Sequence, residues 1–172
     1  MELLSSDMRA SGPVVAARRD DIREGGRRGT WTDEPDDVRW RDAETGLECV
    51  MSRVNGSGAW CGSVVVPESN PLHGHAVSTN IDVPRACEAS TVFPTRSHSL
   101  AESVKAMDVH GPVSTLWSLA AGGRSYEWRI GFYCGQAEDM LPHVSSRGTY
   151  RDLRYVSARC RDLAFLVARH QK

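Results

Sequence analysis

Long apolar runs are missing from this sequence. Its strongly apolar stretches last only a few residues, far short of the roughly 20 that a membrane-crossing helix needs. A bias of charge is missing too. The 21 Lys and Arg stand against 22 Asp and Glu, a formal net charge of −1, so the chain as a whole is not built to coat nucleic acid. The start "MELLSSDMRASG" has an acid at position 2 and a two-leucine apolar patch. A secretory signal opens on basic residues and continues through a longer apolar core, so the cytoplasm is the expected compartment. Also absent is any C-x-x-C. The five cysteines, Cys49, Cys61, Cys87, Cys134 and Cys160, are odd in number and widely spaced. No zinc finger or thioredoxin site is written locally, and reduced thiols, most of them small buried apolar residues, are expected. No Gly-rich phosphate loop of standard spacing occurs, and no internal repeat is visible.

What is present suits a globular domain. The 172 residues are 40% hydrophobic and 25% charged, enough for one domain with a true core. Residues 1–30 read as a mobile tail. They include "RRDDIREGGRR", five Arg against three acids with almost no large apolar group, too little to offset the entropy of ordering. Residues 31–172 read as a single domain. Strands are expected at 47–54 and 59–67, joined by the turn signal "NGSG". Residues 68–98 form a long irregular stretch. "SLAESVKAM" carries a capping box at Ser99 and Glu102 and predicts a short helix. "MDVHGPVSTLWSL" is strand-like but broken at Gly111 and Pro112. "YEWRIGFYC" sets Trp128, Ile130, Phe132 and Cys134 at period two, the clearest strand pattern in the chain. Leu153, Val156, Cys160, Leu163 and Val167 follow 3-4-3-4 spacing and predict an amphipathic C-terminal helix with Thr149 as its N-cap. Strands without a βαβ rhythm imply an α+β fold: an antiparallel sheet carrying a short helix and the C-terminal helix.

Four phrases occur in order: "AWCGSVVVPESNPLHG", "DVHG", "WRIGFYCGQAEDMLP" and "YRDLRYVSARCRDLA". Together, over about residues 35–168, they resemble a family of small, functionally uncharacterised proteins of phages, prophages and actinobacterial genomes. That family's pattern runs W-C-G-Y-V, H-P-hydrophobic-x-G, V-H-G-G-L-T, W-W-x-G-F-D-C-A-H-x-G-D, then a helix opening on Y-R-D. Trp60, Cys61, Gly62, Pro71, Gly74, His110, Cys134 and Asp139 match it. Asn70 stands where the pattern has a His, Pro112 where it has a Gly, Tyr133 where it has an Asp and Gln136 where it has a His. If the family works through that Asp and His, this member has lost or changed the activity.

Three kinds of chemistry remain open in these residues. Cys61, His110 and Asp139 supply a thiol, a base and an orienting carboxylate in the order of papain-like enzymes. Cys61 sits in a strand pattern, however, where no helix dipole lowers its pKa, and the alternative is a buried strand cysteine beside a hydrogen-bonded turn histidine. Trp60, His73, Tyr133 and Gln136 are binding positions around that set. A metal could draw on His73, His75, Cys134, Asp139 and His143, but no pair of the histidines has helical ligand spacing, and no metal or cofactor is assigned. Residues 150–172 hold six Arg or Lys and two Asp, so Arg151, Arg154, Arg161 and Arg169 could touch phosphates, although such a face is also the ordinary solvated side of an amphipathic helix. The expectation is a non-catalytic binding or accessory protein, taking a small molecule or a protein as partner. The alternative is a hydrolase or acyl transferase that uses Cys61 as nucleophile and His110 as base.

Overall fold

The computed structural model describes residues 14–19, 29–74, 107–111, 113–119 and 125–170. Six strands form one antiparallel sheet: β1 (Val15–Ala17), β2 (Asp37–Arg41), β3 (Glu48–Arg53), β4 (Trp60–Val65), β5 (Ser114–Leu119) and β6 (Tyr126–Tyr133). Their spatial order is β1-β2-β3-β4-β6-β5. One helix, α1 (Leu153–Ala168), packs on β3 and β4. This is the expected α+β arrangement. The helix expected near residue 100 lies outside the described residues, as does most of the 68–98 stretch.

The pleat decides what the helix covers. Gly62 faces α1, because a Cβ built on it would stand 2.4 Å from the Phe132 ring and 2.8 Å from Cys160 Sγ. Side chains of the same parity in β4, and their cross-strand partners, share that face. These include Trp60, Val64, Met51, Cys49, Ile130 and Phe132. They join the predicted helix stripe in one core, with Leu153, Val156, Cys160, Leu163 and Val167 all at 1% exposure or less. The β3–β4 turn uses Gly56 and Gly58 at positive φ, 80° and 70°. Gly58 is doubly constrained, since a Cβ there would meet the His143 ring at 2.9 Å.

The other face is polar. Arg39 of β2 bonds Glu48 at 2.7 Å and also reaches Glu127 of β6. That contact spans β3 and β4 across the polar face.

Two features depart from the sequence reading. Residues 14–19 fall in the stretch read as a tail, yet Val15–Ala17 pairs with β2. All three residues are exposed, so backbone bonds and ion pairs hold the strand and apolar burial does not. The Ala17 carbonyl accepts from Asp36 N, Arg19 N donates to the Asp36 carboxylate at 2.8 Å, and Arg19 Nε meets Asp37 at 3.0 Å. The second departure is the N-cap of α1. Asp152, not Thr149, accepts from Tyr155 N at 2.8 Å, while Thr149 is held in a parallel bridge with Asp139.

Buried polar groups pin both ends of α1. At its N-terminus Arg53, 2% exposed at the side chain, bonds Glu34 at 2.6 Å and Tyr150 Oη at 2.8 Å and stacks 4.1 Å over Trp60. Glu34 also accepts from Leu153 N at 3.2 Å. At the other end Asn70 Nδ2 donates to the Val167 carbonyl at 3.2 Å, and its Oδ1 accepts from Leu72 N. Asn70 thus serves as a cap for the C-terminal end of α1.

Candidate functional site

His110 and Asp139 meet at the N-terminal end of α1. A turn at Gly111 (φ 75°) precedes β5 and delivers His110. On leaving β6 the chain doubles back through residues 136–139, where Asp139 N donates to the Gln136 carbonyl at 3.0 Å and Gln136 N donates to Asp139 Oδ2 at 2.9 Å. His110 Nε2 lies 2.7 Å from Asp139 Oδ2, and Nδ1 lies 2.8 Å from Tyr155 Oη. Arg151 Nε donates to Asp139 Oδ1 at 2.7 Å. The imidazole stands edge-on to the Tyr155 ring, and the Arg151 guanidinium covers that ring at 4.7 Å.

The protonation pattern follows from these partners. Burial alone would push Asp139 up. The Arg151 bond, then the His110 and Gln136 bonds, outweigh it and hold the carboxyl below its ordinary value. An ionised carboxylate only accepts, so Nε2 carries the proton it shares with Asp139. With Nε2 as the only protonated nitrogen, Nδ1 accepts from the Tyr155 hydroxyl. The result is a chain from Tyr155 through His110 to Asp139, closed by Arg151, whose own affinity for its proton is raised first by the bond to Asp139.

Cys61 is not in this set. It alternates with Gly62 on β4 and points to the polar face, cross-strand from Ser52 and Tyr133. His110 lies on the helix face, against Tyr155 and 6.4 Å from the Phe132 ring. The sheet therefore separates the expected nucleophile from the expected base, while it joins the expected base to the expected carboxylate. Cys61 is half-buried, whereas Cys49, Cys134 and Cys160 are at 2% exposure or less. The thiol that the alternative reading buries in a strand is thus the most accessible of the four described. Burial pushes the thiols of Cys49, Cys134 and Cys160 far up, which keeps them protonated and unreactive.

The four binding positions do not converge. Trp60, 1% exposed, is a core residue under Arg53. Tyr133 lies on the polar face with its hydroxyl 3.4 Å from Ser57 Oγ. Gln136 alone borders the His110 site, its Nε2 on the Tyr133 carbonyl and 3.5 Å from where a Cβ on Gly111 would be. His73 belongs to the turn bonded to Asn70, at the far end of α1, about 18 Å from Tyr155 by helix rise. Among the described residues no three His, Cys, Asp or Glu side chains are grouped to hold a metal; His75 lies outside them. Of the four arginines, Arg151 is committed to Asp139, and Arg161 to Glu44 at 3.0 Å and Asp42 at 3.7 Å. Arg154 and Arg169 are exposed.

Sequence reasoning missed Tyr155 and the Arg53–Glu34–Tyr150 cluster, and it named Arg151 as a phosphate contact where the structure bonds it to Asp139. For Arg53 a signal existed: period two puts it on the face of Cys49 and Met51, so a buried, paired arginine could have been inferred. Glu34 sits in the acidic run "DEPDD" with nothing to set it apart.

Comparison with protein-family models, with curated proteins and with solved structures finds no match for this chain. Among the described residues no helix is long and apolar enough to cross a membrane.

Proposed function

We propose that this chain is a non-catalytic binding or accessory protein, cytoplasmic and of phage or prophage type, on a scaffold that carries enzyme-like side chains. The observation that carries this reading is the use of His110. Both of its ring nitrogens bond within the fold, to Asp139 and Tyr155, while Cys61 points from the opposite face. A base that activates a thiol must lie within hydrogen-bond reach of it. The network instead ties the segment before β5, the loop after β6 and the first turn of α1 into one block, which suits a rigid surface that presents a partner site. The partner class, small molecule or protein, follows the sequence expectation.

Peptide-resolved alkylation with iodoacetamide at mildly acidic pH tests this reading. Cys61 is expected to label first among the four described cysteines, because it alone is half-exposed. Its rate is expected to be the same in wild type and in His110→Asn. Rapid labelling that His110→Asn abolishes would overturn the reading in favour of a cysteine-dependent hydrolase or acyl transferase.

A further inference from the structure

The two edges of the sheet are built differently. β1 has three residues and runs directly into Arg18 and Arg19, which turn inward onto Asp33, Asp36, Asp37 and Arg53. A short strand flanked by charge is how natural sheets blunt an edge. Among the described residues, β5 has none of these devices. It pairs with β6 without interruption over six residues, from Ser114 opposite Gly131 to Leu119 opposite Tyr126. Its sequence, STLWSL, has no charged residue and no proline. Among the described residues no strand lies on its outer side. In an antiparallel pair each strand turns alternate N–H and C=O groups to either side, so the outer side of β5 offers a ladder ready for a further strand.

We infer that the β5 edge is a homodimer interface, on which a second copy of this chain lays its own β5 antiparallel to form one twelve-stranded sheet. The occupant is a second copy for three reasons. An antiparallel edge pairs with itself under a two-fold axis, and STLWSL contains no side chain whose charge would repel its own image. The chain's net charge of −1 gives little repulsion between copies. The blunted β1 edge cannot extend the array, so the assembly closes at two copies. The axis stands normal to the sheet and keeps each residue's image on the same face, so both α1 helices lie on one side. Such an axis allows only registers that centre on a residue, and those centred on 116 or on 117 pair the most of β5. This inference goes beyond the reading of the His110 site and does not depend on it.

Sedimentation of the full chain tests it, with an expected mass twice the 18.9 kDa of one chain. Leu116→Lys sets two lysines on one face, directly opposite or diagonal in either of these registers, and is expected to give a monomer with a native far-UV spectrum. Val15→Lys on the other edge is expected to leave the dimer intact. Hydrogen exchange on the wild type supplies a second readout. On dilution through the dissociation range, alternate β5 amides are expected to lose protection while the intervening ones, bonded to β6, keep it. A wild type that stays monomeric at high concentration would overturn the inference. So would a dimer that survives Leu116→Lys, or β5 amides whose protection ignores concentration.

Discussion

Asp139 takes three hydrogen bonds, from His110, Gln136 N and Arg151, with its side chain fully buried. Replacing it with Asn keeps the shape but removes the charge that Arg151 answers. Breaking such a pair from one side costs about 3–5 kcal/mol, so Asp139→Asn is expected to lower the urea midpoint sharply. The effect carries a pH signature. The folded carboxyl stays ionised where the unfolded one takes a proton. Its contribution is therefore complete above about pH 4 and disappears as pH falls further through the lowered folded value. Wild type and variant should converge in stability under acid, and a gap that stays constant down to acid pH would remove the ionic explanation. His110 and Asp139 stood out in the sequence as motif residues. Tyr155 did not, and Arg151 stood out only for its charge and its place in Y-R-D, because contacts across 45 and 12 positions leave no local pattern. Gly62 makes the other residue-scale point. A methyl there meets Phe132 and Cys160 in a filled core, and overpacking of this kind costs about 1–3 kcal/mol. Gly62→Ala is expected to show that loss in chemical denaturation, and Phe132→Leu to relieve part of it in the double variant.

At the scale of elements, α1 was the most legible part of the chain. Its 3.6-residue stripe named five residues, and all five are buried. Leu163→Asp is expected to prevent soluble folding, since it buries an unpaired carboxylate. Arg154→Glu, on the exposed side, is expected to fold normally, and similar behaviour of the two would contradict the assigned face. The helix start was less legible. Thr149 and Asp152 both have capping side chains, and the choice between them turns on a tertiary bond: Thr149 N is taken by the Glu138 carbonyl and its carbonyl by Met140 N. Asp152→Ala should therefore cost about 1 kcal/mol in thermal unfolding, and Thr149→Ala clearly less. The strands of the β3–β4 hairpin were legible for a similar reason, because Gly-containing turn chemistry and β-branched runs are local signals. The order of strands was not, since nothing local says that β6 inserts between β4 and β5.

On the scale of the whole molecule, the N-terminal segment shows what composition alone overlooks. An apolar count assigns residues 1–30 to solvent, yet β1 completes the sheet through backbone bonds, and Arg19 ties it to the buried Asp36 and to the Arg53 carbonyl. Deletion of residues 1–28 should therefore lower the melting temperature by several degrees, as roughly 1–2 kcal/mol does in a domain of this size. An unchanged melting curve would show that the strand contributes nothing. The two unlike faces of the sheet have a further consequence. The helix-covered side seals the sulfurs of Cys49, Cys134 and Cys160, while Cys61 looks out from the polar side. Those three sulfurs are thus a gauge of breathing built into the fold: an alkylating reagent in excess should modify them at the frequency with which α1 lifts from β3 and β4. A single mass spectrum over time would then read the lifetime of the closed state, with no probe introduced.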